Sequence, residues 1–292
     1  MKGEEHLWGV LNDKLDTLRA TNHMAEAIRV GQSALEIAKR SFGESDVRLA
    51  LSYEKLGLLH EQNSDRAAAK AYLVNAHRLL ARIQPRDDDA FFRSSRRLGQ
   101  ICNELGHTDE AIDFYEQAVA AAAQLPELPF SDLGALLNNV ALICRKAGRA
   151  TAAEPYYLRA LQIYETQLGP EHPDVASVLN NLGVFYTNEK RFTEAEQVHL
   201  RALAIREKAF SASHPDIAQS KCNLAVVYHS QGDYERASEL YRASLQAWEE
   251  AMAKPPEEYE VVAANYADLL RSLGKARKAH ALENRARKKR RG

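Results

Sequence analysis

The sequence predicts an all-α solenoid of about seven antiparallel helix pairs. Two observations predict this class: a 42-residue period that runs through the chain, and small residues that recur at fixed points of that period. The period is clearest in the segments that begin at Leu168 and Phe210, in which His-Pro-Asp and the following apolar positions recur in register. A fixed period of this length is typical of stacked repeat arrays, which have no single core.

Small residues occupy two positions of the period without a gap. The first series is Ala27, Ala69, Ala111, Ala153, Ala195, Ala237 and Ala279. The second series is Ala34, Ala76, Ala118, Ala160, Ala202, Ser244 and Ala286. We interpret both series as points where two helices cross too closely for a larger side chain, because protein interiors are packed without spare volume.

Composition excludes several classes of protein. The chain has 292 residues, 45% hydrophobic content and a formal net charge of −1, so it is neither strongly acidic nor strongly basic. Its three cysteines, Cys102, Cys144 and Cys222, are far apart, which indicates a reducing compartment rather than a disulfide framework. The first residues lack the apolar run of a signal peptide, and no stretch approaches the roughly 18 apolar residues of a membrane span. We therefore expect a soluble, cytoplasmic protein.

Each period reads as two helices, and the fifth shows the pattern best. Pro173 suits the first turn of a helix, and the carboxylate of Asp174 suits its positive end. Apolar residues follow at helical spacing until a polar turn, and a second apolar series begins at Phe192. In four other repeats the turn carries a glycine at one fixed position, which predicts a helix C-cap with positive φ. These glycines are Gly106, Gly148, Gly232 and Gly274.

This register divides one array, residues 1–292, into seven repeats and a basic C-terminal tail. Their predicted bounds are 4–41, 46–84, 88–126, 131–168, 173–210, 215–253 and 257–288. The first two and the last fit the pattern least well, as terminal repeats usually do. The run from Arg285 to Arg291 is strongly basic. It is either a cationic helix end that complements the helix dipole and then frays, or a binding segment for an anionic partner.

The paired helices with small residues at their crossings resemble the tetratricopeptide repeat. The 42-residue period, the strings HPDVA and LNNLG, and the segment AEPYYLRALQIYE from Ala153 to Glu165 are similar to the kinesin light chain subtype. The resemblance implies a right-handed superhelix in which the first helix of each pair lines a concave face and binds a partner peptide. Light chains carry a heptad coiled coil before their repeats, whereas the repeats here begin near residue 1. We therefore expect the repeat subtype without the motor function.

If first helices line a concave face, helical spacing predicts which of their side chains face it. Those positions lie five and two residues before, and two, five and six residues after, an anchoring Leu or Val. The candidate peptide-binding residues are Arg93, Arg96, Gln100, Asn103, Asn138, Arg145, Lys146, Ser177, Asn180, Thr187, Asn188, Gln219 and His229.

Four of these candidates form a predicted cationic cluster. They are Arg93, Arg96, Arg145 and Lys146. Since a guanidinium group presents a planar fork of donors suited to carboxylates, the cluster favours a partner segment that contains Asp or Glu. The alternative interpretation is a solvated helix face whose arginines are balanced by Asp87, Asp88 and Asp89.

Asparagines form two rows in the same first helices. The side chains of Asn138 and Asn180 can both donate to and accept from an extended backbone, and the resemblance implies that these two contact bound peptide. The second row lies one residue over and is expected to satisfy backbone groups between repeats. Its members are Asn139, Asn181, Asn223 and Asn265.

The sequence contains no catalytic motif of the GxxxxGK[ST], GxSxG, HExxH or GxGxxG type, so we expect no enzyme and no cofactor. Glu196-x-x-His199 and Glu104-x-x-His107 match half of a carboxylate-bridged iron motif, but the repeat register accounts for both pairs without metal. The expected function is a non-catalytic scaffold or adaptor that binds a partner protein. The alternative is a regulatory or nucleic-acid-associated protein that uses the basic tail, with the repeats for assembly. An array also has two exposed ends, which leaves a homodimer through the ends open.

Overall fold

The computed structural model describes residues 2–252 and 255–291, and these residues form fourteen α-helices and no β-strand. The predicted all-α repeat class is confirmed. The predicted end of the sixth repeat at residue 253 and the array limits at residues 1 and 292 lie outside the described residues. The helices are α1 (Lys2–Ala20), α2 (Met24–Ser41), α3 (Val47–Gln62), α4 (Arg66–Leu80), α5 (Asp88–Glu104), α6 (Thr108–Ala122), α7 (Phe130–Lys146), α8 (Ala150–Leu168), α9 (Pro173–Asn188), α10 (Phe192–Ala209), α11 (Pro215–Gln231), α12 (Tyr234–Ala251), α13 (Glu257–Ser272) and α14 (Ala276–Arg291).

Odd-numbered helices are the first helices of the repeats, and even-numbered helices are the second. Each even-numbered helix from α4 to α14 begins 42 residues after the even-numbered helix before it. Helices α9 and α11 begin directly after His172 and His214. A ring nitrogen of each histidine accepts a hydrogen bond from the backbone N–H two residues later, that of Asp174 at 3.2 Å and that of Asp216 at 3.1 Å. Each ring thereby satisfies a donor that a helix start leaves open.

The turn between the two helices of a repeat contains one residue with positive φ. Its position recurs every 42 residues through all seven repeats in the described chain. Four of these residues are the predicted glycines, with φ between 72° and 84°. The remaining three are Asn22, Ser64 and Lys190, with φ near 60°. Because the turn itself is required to reverse the chain, the fold imposes this conformation even where the side chain disfavours it.

Both series of small residues are buried at helix crossings, as predicted. The seven alanines of the first series have no exposed surface, and the second series is at most 2% exposed. Ser244 is the one serine of the second series, and its buried hydroxyl donates a hydrogen bond to the backbone oxygen of Ala218 at 2.6 Å. A larger side chain has no room at these points.

The chain divides into two compact units, Met1–Ile143 and Cys144–Gly292, with the division inside α7. In the first unit, α1 to α6 pack pairwise in chain order. In the second unit, α9 to α14 do the same, and the first helix α11 also contacts both α9 and α13. These first helices therefore form one layer of the second unit. None of the described helices is long and apolar enough to cross a lipid bilayer.

The three cysteines and His199 belong to the core. All three cysteines are free and buried. His199 has no exposed surface and lies against Gly183, where a Cβ atom would come within 2.5 Å of the imidazole ring. Burial lowers the pKa of His199 to about 4, and the nearby Arg206 cation acts in the same direction. The imidazole is therefore neutral in the folded protein at neutral pH.

A cluster of three side chains joins successive repeats in the second unit, and it occurs twice. The hydroxyl of Tyr186 donates to Glu154 of the preceding repeat (3.0 Å), and Arg191 pairs with the same carboxylate (2.8 Å) while its guanidinium lies over the tyrosine ring. Tyr228, Glu196 and Arg236 repeat the arrangement. Glu196 is therefore part of a joint between repeats. Among the described residues, no group of three or more His, Cys, Asp and Glu side chains is placed to hold a metal ion.

Candidate peptide-binding site

The thirteen predicted residues lie on first helices α5, α7, α9 and α11, and none is buried. We call the side of these helices that carries them the first-helix surface of each unit. Arg93, Arg96, Gln100, Asn103 and Asn138 belong to the first unit, and the other eight belong to the second. The predicted cationic cluster and the row of Asn138 and Asn180 thus each take members from both units.

The two arginines of the first unit are exposed, but each has a carboxylate partner. Arg93 pairs with Asp89 one turn earlier on α5. Arg96 lies 3.5 Å from Asp132 of α7 and over the ring of Phe92. About half of each arginine side chain remains exposed. Exposed pairs of this kind contribute little to stability, so a ligand carboxylate can replace the internal one at small cost.

Only one of the three aspartates expected to balance these arginines does so. Asp87 is the N-cap of α5, where it accepts the backbone N–H of Ala90 at 2.9 Å. Asp88 pairs with Arg86 at 2.6 Å. Asp89 alone pairs with Arg93. The alternative interpretation of a helix face balanced by all three aspartates is therefore wrong for Asp87 and Asp88, because capping and a nearer arginine occupy them.

Ion pairs link successive first helices in the first unit. Lys55 of α3 pairs with Asp16 of α1 at 2.8 Å, and Arg97 of α5 pairs with Glu61 of α3 at 2.6 Å. The Arg96–Asp132 pair continues the series from α5 to α7. Sequence reasoning missed these pairs because the partners are 36 to 39 residues apart. The signal was available, since that spacing is close to one repeat.

Gln100 is part of a polar network on the same surface. Its amide donates to Glu104 at 3.0 Å, and the guanidinium of Arg66 also binds Glu104. The bond to Arg66, followed by the bond to Gln100, holds the pKa of Glu104 below its usual range. Glu104 therefore stays ionised and engaged, whereas neighbouring Asn103 is exposed.

Arg145 is less available than its predicted position suggests. Its side chain is half-buried, and its Nε atom is buried without a hydrogen-bond partner. The side chain lies beside the phenol of fully buried Tyr157 on α8. Burial raises the pKa of Tyr157, and the guanidinium of Arg145 opposes that shift. Part of Arg145 is thus committed to packing within its own repeat, while Lys146 is exposed.

An amide chain crosses two repeats of the second unit. Gln219 donates to the side-chain oxygen of Asn223 at 2.9 Å, and Asn223 donates to the side-chain oxygen of Asn180 at 2.8 Å. Asn180 lies on α9 and the other two lie on α11. Asn223 thus reaches the neighbouring repeat, but its partner there is the side chain of Asn180, the asparagine predicted to contact a ligand, and not one of the backbone groups that the second row was expected to satisfy. The two asparagine rows are therefore one network at this point.

The remaining candidates of the second unit are neutral polar groups. Ser177 and Thr187 donate their hydroxyls to backbone oxygens of α9, at 3.2 and 2.8 Å. Both hydroxyls can still accept a hydrogen bond. The ring of His229 is half-buried, and burial lowers its pKa while Asp268 opposes the shift. Asn188 is exposed.

Cys222 lies on α11 between the candidates Gln219 and His229, but it is buried, with only 2% of its surface exposed. Burial raises the pKa of its thiol to about 12, and a hydrogen bond with Asn265 opposes the shift. The thiol is therefore neither ionised nor accessible at neutral pH. Asn265 thus serves the contact between α11 and α13, where its partner is a thiol and not a backbone group.

The basic C-terminal run is helical as part of α14. Arg285 and Lys289 both bind Glu249 of the preceding repeat, at 2.8 and 2.7 Å, and Arg290 binds Glu260 of α13 at 3.2 Å. Three cations of the run thus secure the last helix against its neighbours. This arrangement differs from a fraying tail, and it leaves fewer cations for an anionic partner.

Two family models, both described as tetratricopeptide repeat, match the chain. One matches residues 132–186 and 174–250, and the other matches residues 97–125. Together these matches cover just over half of the 292 residues. The chain therefore belongs to the tetratricopeptide repeat family. The family inferred from the helix pairs and their alanine crossings is confirmed.

Several solved structures share this fold. BtubC (BKLC) from P. vanneervenii is 26% identical, with 80% of this chain and 94% of that chain covered and a TM-score of 0.59. The apo form of the quorum sensor NprR from B. thuringiensis is 15% identical, with 98% and 76% covered and a TM-score of 0.62. YrrB, a TPR protein with an unusual peptide-binding site, is 18% identical, with 73% and 90% covered and a TM-score of 0.50. No match was found among curated protein sequences.

Proposed function

We propose that the protein is a non-catalytic scaffold or adaptor that binds an extended segment of a partner protein on its first-helix surfaces. Tetratricopeptide repeat proteins bind other proteins or peptides. The observation that carries the proposal is the amide chain of Gln219, Asn223 and Asn180 across two repeats. Amides at regular spacing along a first-helix layer match the alternating donors and acceptors of an extended peptide backbone.

The partner segment contains Asp or Glu. Arg93 and Arg96 support this part of the proposal, because both are half-exposed and each is held only by an exposed carboxylate of the chain. A ligand carboxylate in a partly dry site gains roughly 1.5–3 kcal/mol from each charge-assisted hydrogen bond. The planar guanidinium also favours two-point binding of a carboxylate. The three free, buried cysteines support a reducing, cytoplasmic setting.

Affinity capture from the source cell tests the proposal. The baits are the wild type and a variant with Arg96→Glu, Asn138→Leu and Asn180→Leu, which replaces surface groups and leaves the alanine crossings intact. We expect the variant to lose the captured partner at least about tenfold, since each lost charged or amide contact contributes on the order of 1 kcal/mol or more.

The matched control is Arg78→Glu on α4, which reverses an exposed arginine on a second helix of the first unit. Equal helicity of all three baits by circular dichroism excludes unfolding as the cause of a loss. The proposal fails if the triple variant retains every partner of the wild type. If the single change Arg96→Glu has no effect while Asn180→Leu does, the acidic ligand is wrong and the amide contact remains.

A further inference from the structure

Helices α8 and α10 of the second unit each expose a face that carries no charge. On both helices the face consists of four residues at spacings of four, three and four, which places them on one side of the helix. Leu158 and Leu200 occupy the same place in successive repeats, and each has 45% of its surface exposed. The residues of this uncharged face are Thr151, Pro155, Leu158 and Gln162 of α8, and Thr193, Gln197, Leu200 and Ala204 of α10, all of them exposed.

The same positions are charged in the second helices before and after these two. The exposed charged residues there are Asp109, Asp113 and Glu116 of α6, and Glu235, Glu239 and Arg242 of α12. A charged side chain loses hydration when another protein covers it, and the centres of protein interfaces are accordingly depleted in charge. The uncharged face is therefore suited to contact with another protein, whereas the equivalent faces of α6 and α12 favour water.

The two edges of the uncharged face carry opposite charges. Arg201 of α10 pairs with Glu165 of α8 at 2.6 Å, so the Arg201 position points to the preceding repeat and the Glu165 position points to the next. The repeat register gives α8 Arg159 at the first position and α10 Glu207 at the second. Both are exposed, and no ion pair in the described part of the chain involves either. Ala243 stands where an arginine would pair with Glu207.

We propose that two copies of the chain pair through the uncharged face, about a two-fold axis parallel to α8 and α10. This axis places α8 of one copy over α10 of the other, so that Leu158 lies against Leu200 of the second copy at two equivalent points. The amides of Gln162 and Gln197 both donate and accept hydrogen bonds, so they find partners on an identical face.

The edges of the two copies also match about this axis. Arg159 of one copy faces Glu207 of the other, across the same offset along the helices that Arg201 spans to reach Glu165. A two-fold axis perpendicular to the helices instead brings the Arg159 side chains of both copies to one edge, where like charges repel. The absence of cations from the eight positions disfavours a nucleic acid or an anionic membrane as the occupant.

The pairing is a reversible association rather than an obligate dimer. A contact made by two helices of each copy lies at the low end of specific interface sizes, so the dimer depends on protein concentration. It uses second helices and neither first-helix surface. The proposal therefore stands independently of peptide binding.

Analytical ultracentrifugation of the full chain over a wide concentration range tests the pairing. We expect the wild type to self-associate, and Leu200→Glu to raise the dimer dissociation constant at least about tenfold, because each dimer then holds two carboxylates against Leu158. Leu7→Glu is the matched control, since Leu7 is a leucine of α1 with 46% of its surface exposed. Circular dichroism checks that both variants are folded.

Two outcomes of this measurement overturn the proposal. A wild type that stays monomeric at every concentration excludes a second copy, and loss of a captured partner from the Leu200→Glu variant then assigns the face to a different protein. Equal weakening by Leu200→Glu and Leu7→Glu indicates association through exposed leucines in general, without a defined face.

Charge reversal tests the direction of the axis. We expect Arg159→Glu and Glu207→Arg each to raise the dimer dissociation constant about three- to tenfold, because each change sets like charges against each other at both edges. The double variant restores opposite charges, so its dissociation constant is expected to return to within about twofold of the wild type. Single reversals without effect, or a double variant that adds the two losses, contradict the parallel axis.

Discussion

Replacement of Ala195 with glutamate is expected to unfold the middle of the second unit. Ala195 has no exposed surface and lies in the series of alanines at helix crossings. Glutamate adds volume where none is free and buries a carboxylate without a partner, and a buried uncompensated charge costs about 3–5 kcal/mol. Since a repeat array is held by neighbour contacts, the loss is expected to be local.

Hydrogen exchange with mass spectrometry measures this effect repeat by repeat. We expect amide protection to fall in α9 to α12 while α3 to α6 of the first unit keep theirs. Ala204→Glu is the matched control, because Ala204 lies on the same helix and is exposed. Unchanged protection in the Ala195→Glu variant contradicts the interpretation of the alanine series as close helix crossings.

Acid is expected to destabilise the second unit through His199. Burial depresses the pKa of His199 to about 4, below the value near 6.5 of an unfolded histidine. The unfolded chain therefore binds a proton more readily than the folded one. The stabilising contribution is complete above pH 6.5 and is lost as the pH falls towards 4, by about 3 kcal/mol in total.

Urea denaturation between pH 7 and pH 4 measures this contribution. His199→Tyr is the informative variant, because Tyr115 occupies the matching position of the third repeat and lies against Gly99 as His199 lies against Gly183. The variant is expected to keep the wild-type free energy of unfolding at pH 7 within about 1.5 kcal/mol, and to lose less of it on acidification. An identical pH dependence in the two proteins contradicts the role of His199.

The period and its local chemistry made much of the fold predictable. The alanine series, the histidine caps of α9 and α11, and the glycine turns all follow from residues that repeat their type every 42 positions. Lys190 shows the limit of that reasoning. It has positive φ because its turn requires one, although its side chain gives no sign of it.

Departures from the period were the part that sequence reasoning missed. Arg206 is the clearest case: it occupies a position that Leu80, Tyr164 and Trp248 fill in other repeats, and it is 6% exposed. Its guanidinium donates to Ser220 at 2.7 Å and to the backbone oxygen of Asp216 at 3.0 Å. Those partners belong to the next repeat, and helical spacing within one helix does not reveal them.

The same limit applies to the candidate site: the sequence predicted where its residues lie but not which residues they contact. Helical spacing placed all thirteen residues on first helices and away from the core. It did not reveal their partners, such as Asp132 for Arg96 or Asn223 for Asn180, because each partner belongs to the next repeat. Partners of this kind decide how available a side chain is, so availability requires the three-dimensional structure.

The central claim is that a partner segment binds on the first helices. Photo-crosslinking in the source cell tests it most directly, with a photoreactive amino acid placed singly at exposed positions of the second unit. Positions 188 and 230 sample α9 and α11, and positions 158 and 200 sample the second helices α8 and α10. We expect one partner to be trapped from 188 and 230 and not from 158 and 200. Trapping of that partner only from 158 and 200 contradicts the claim and assigns binding to the second helices.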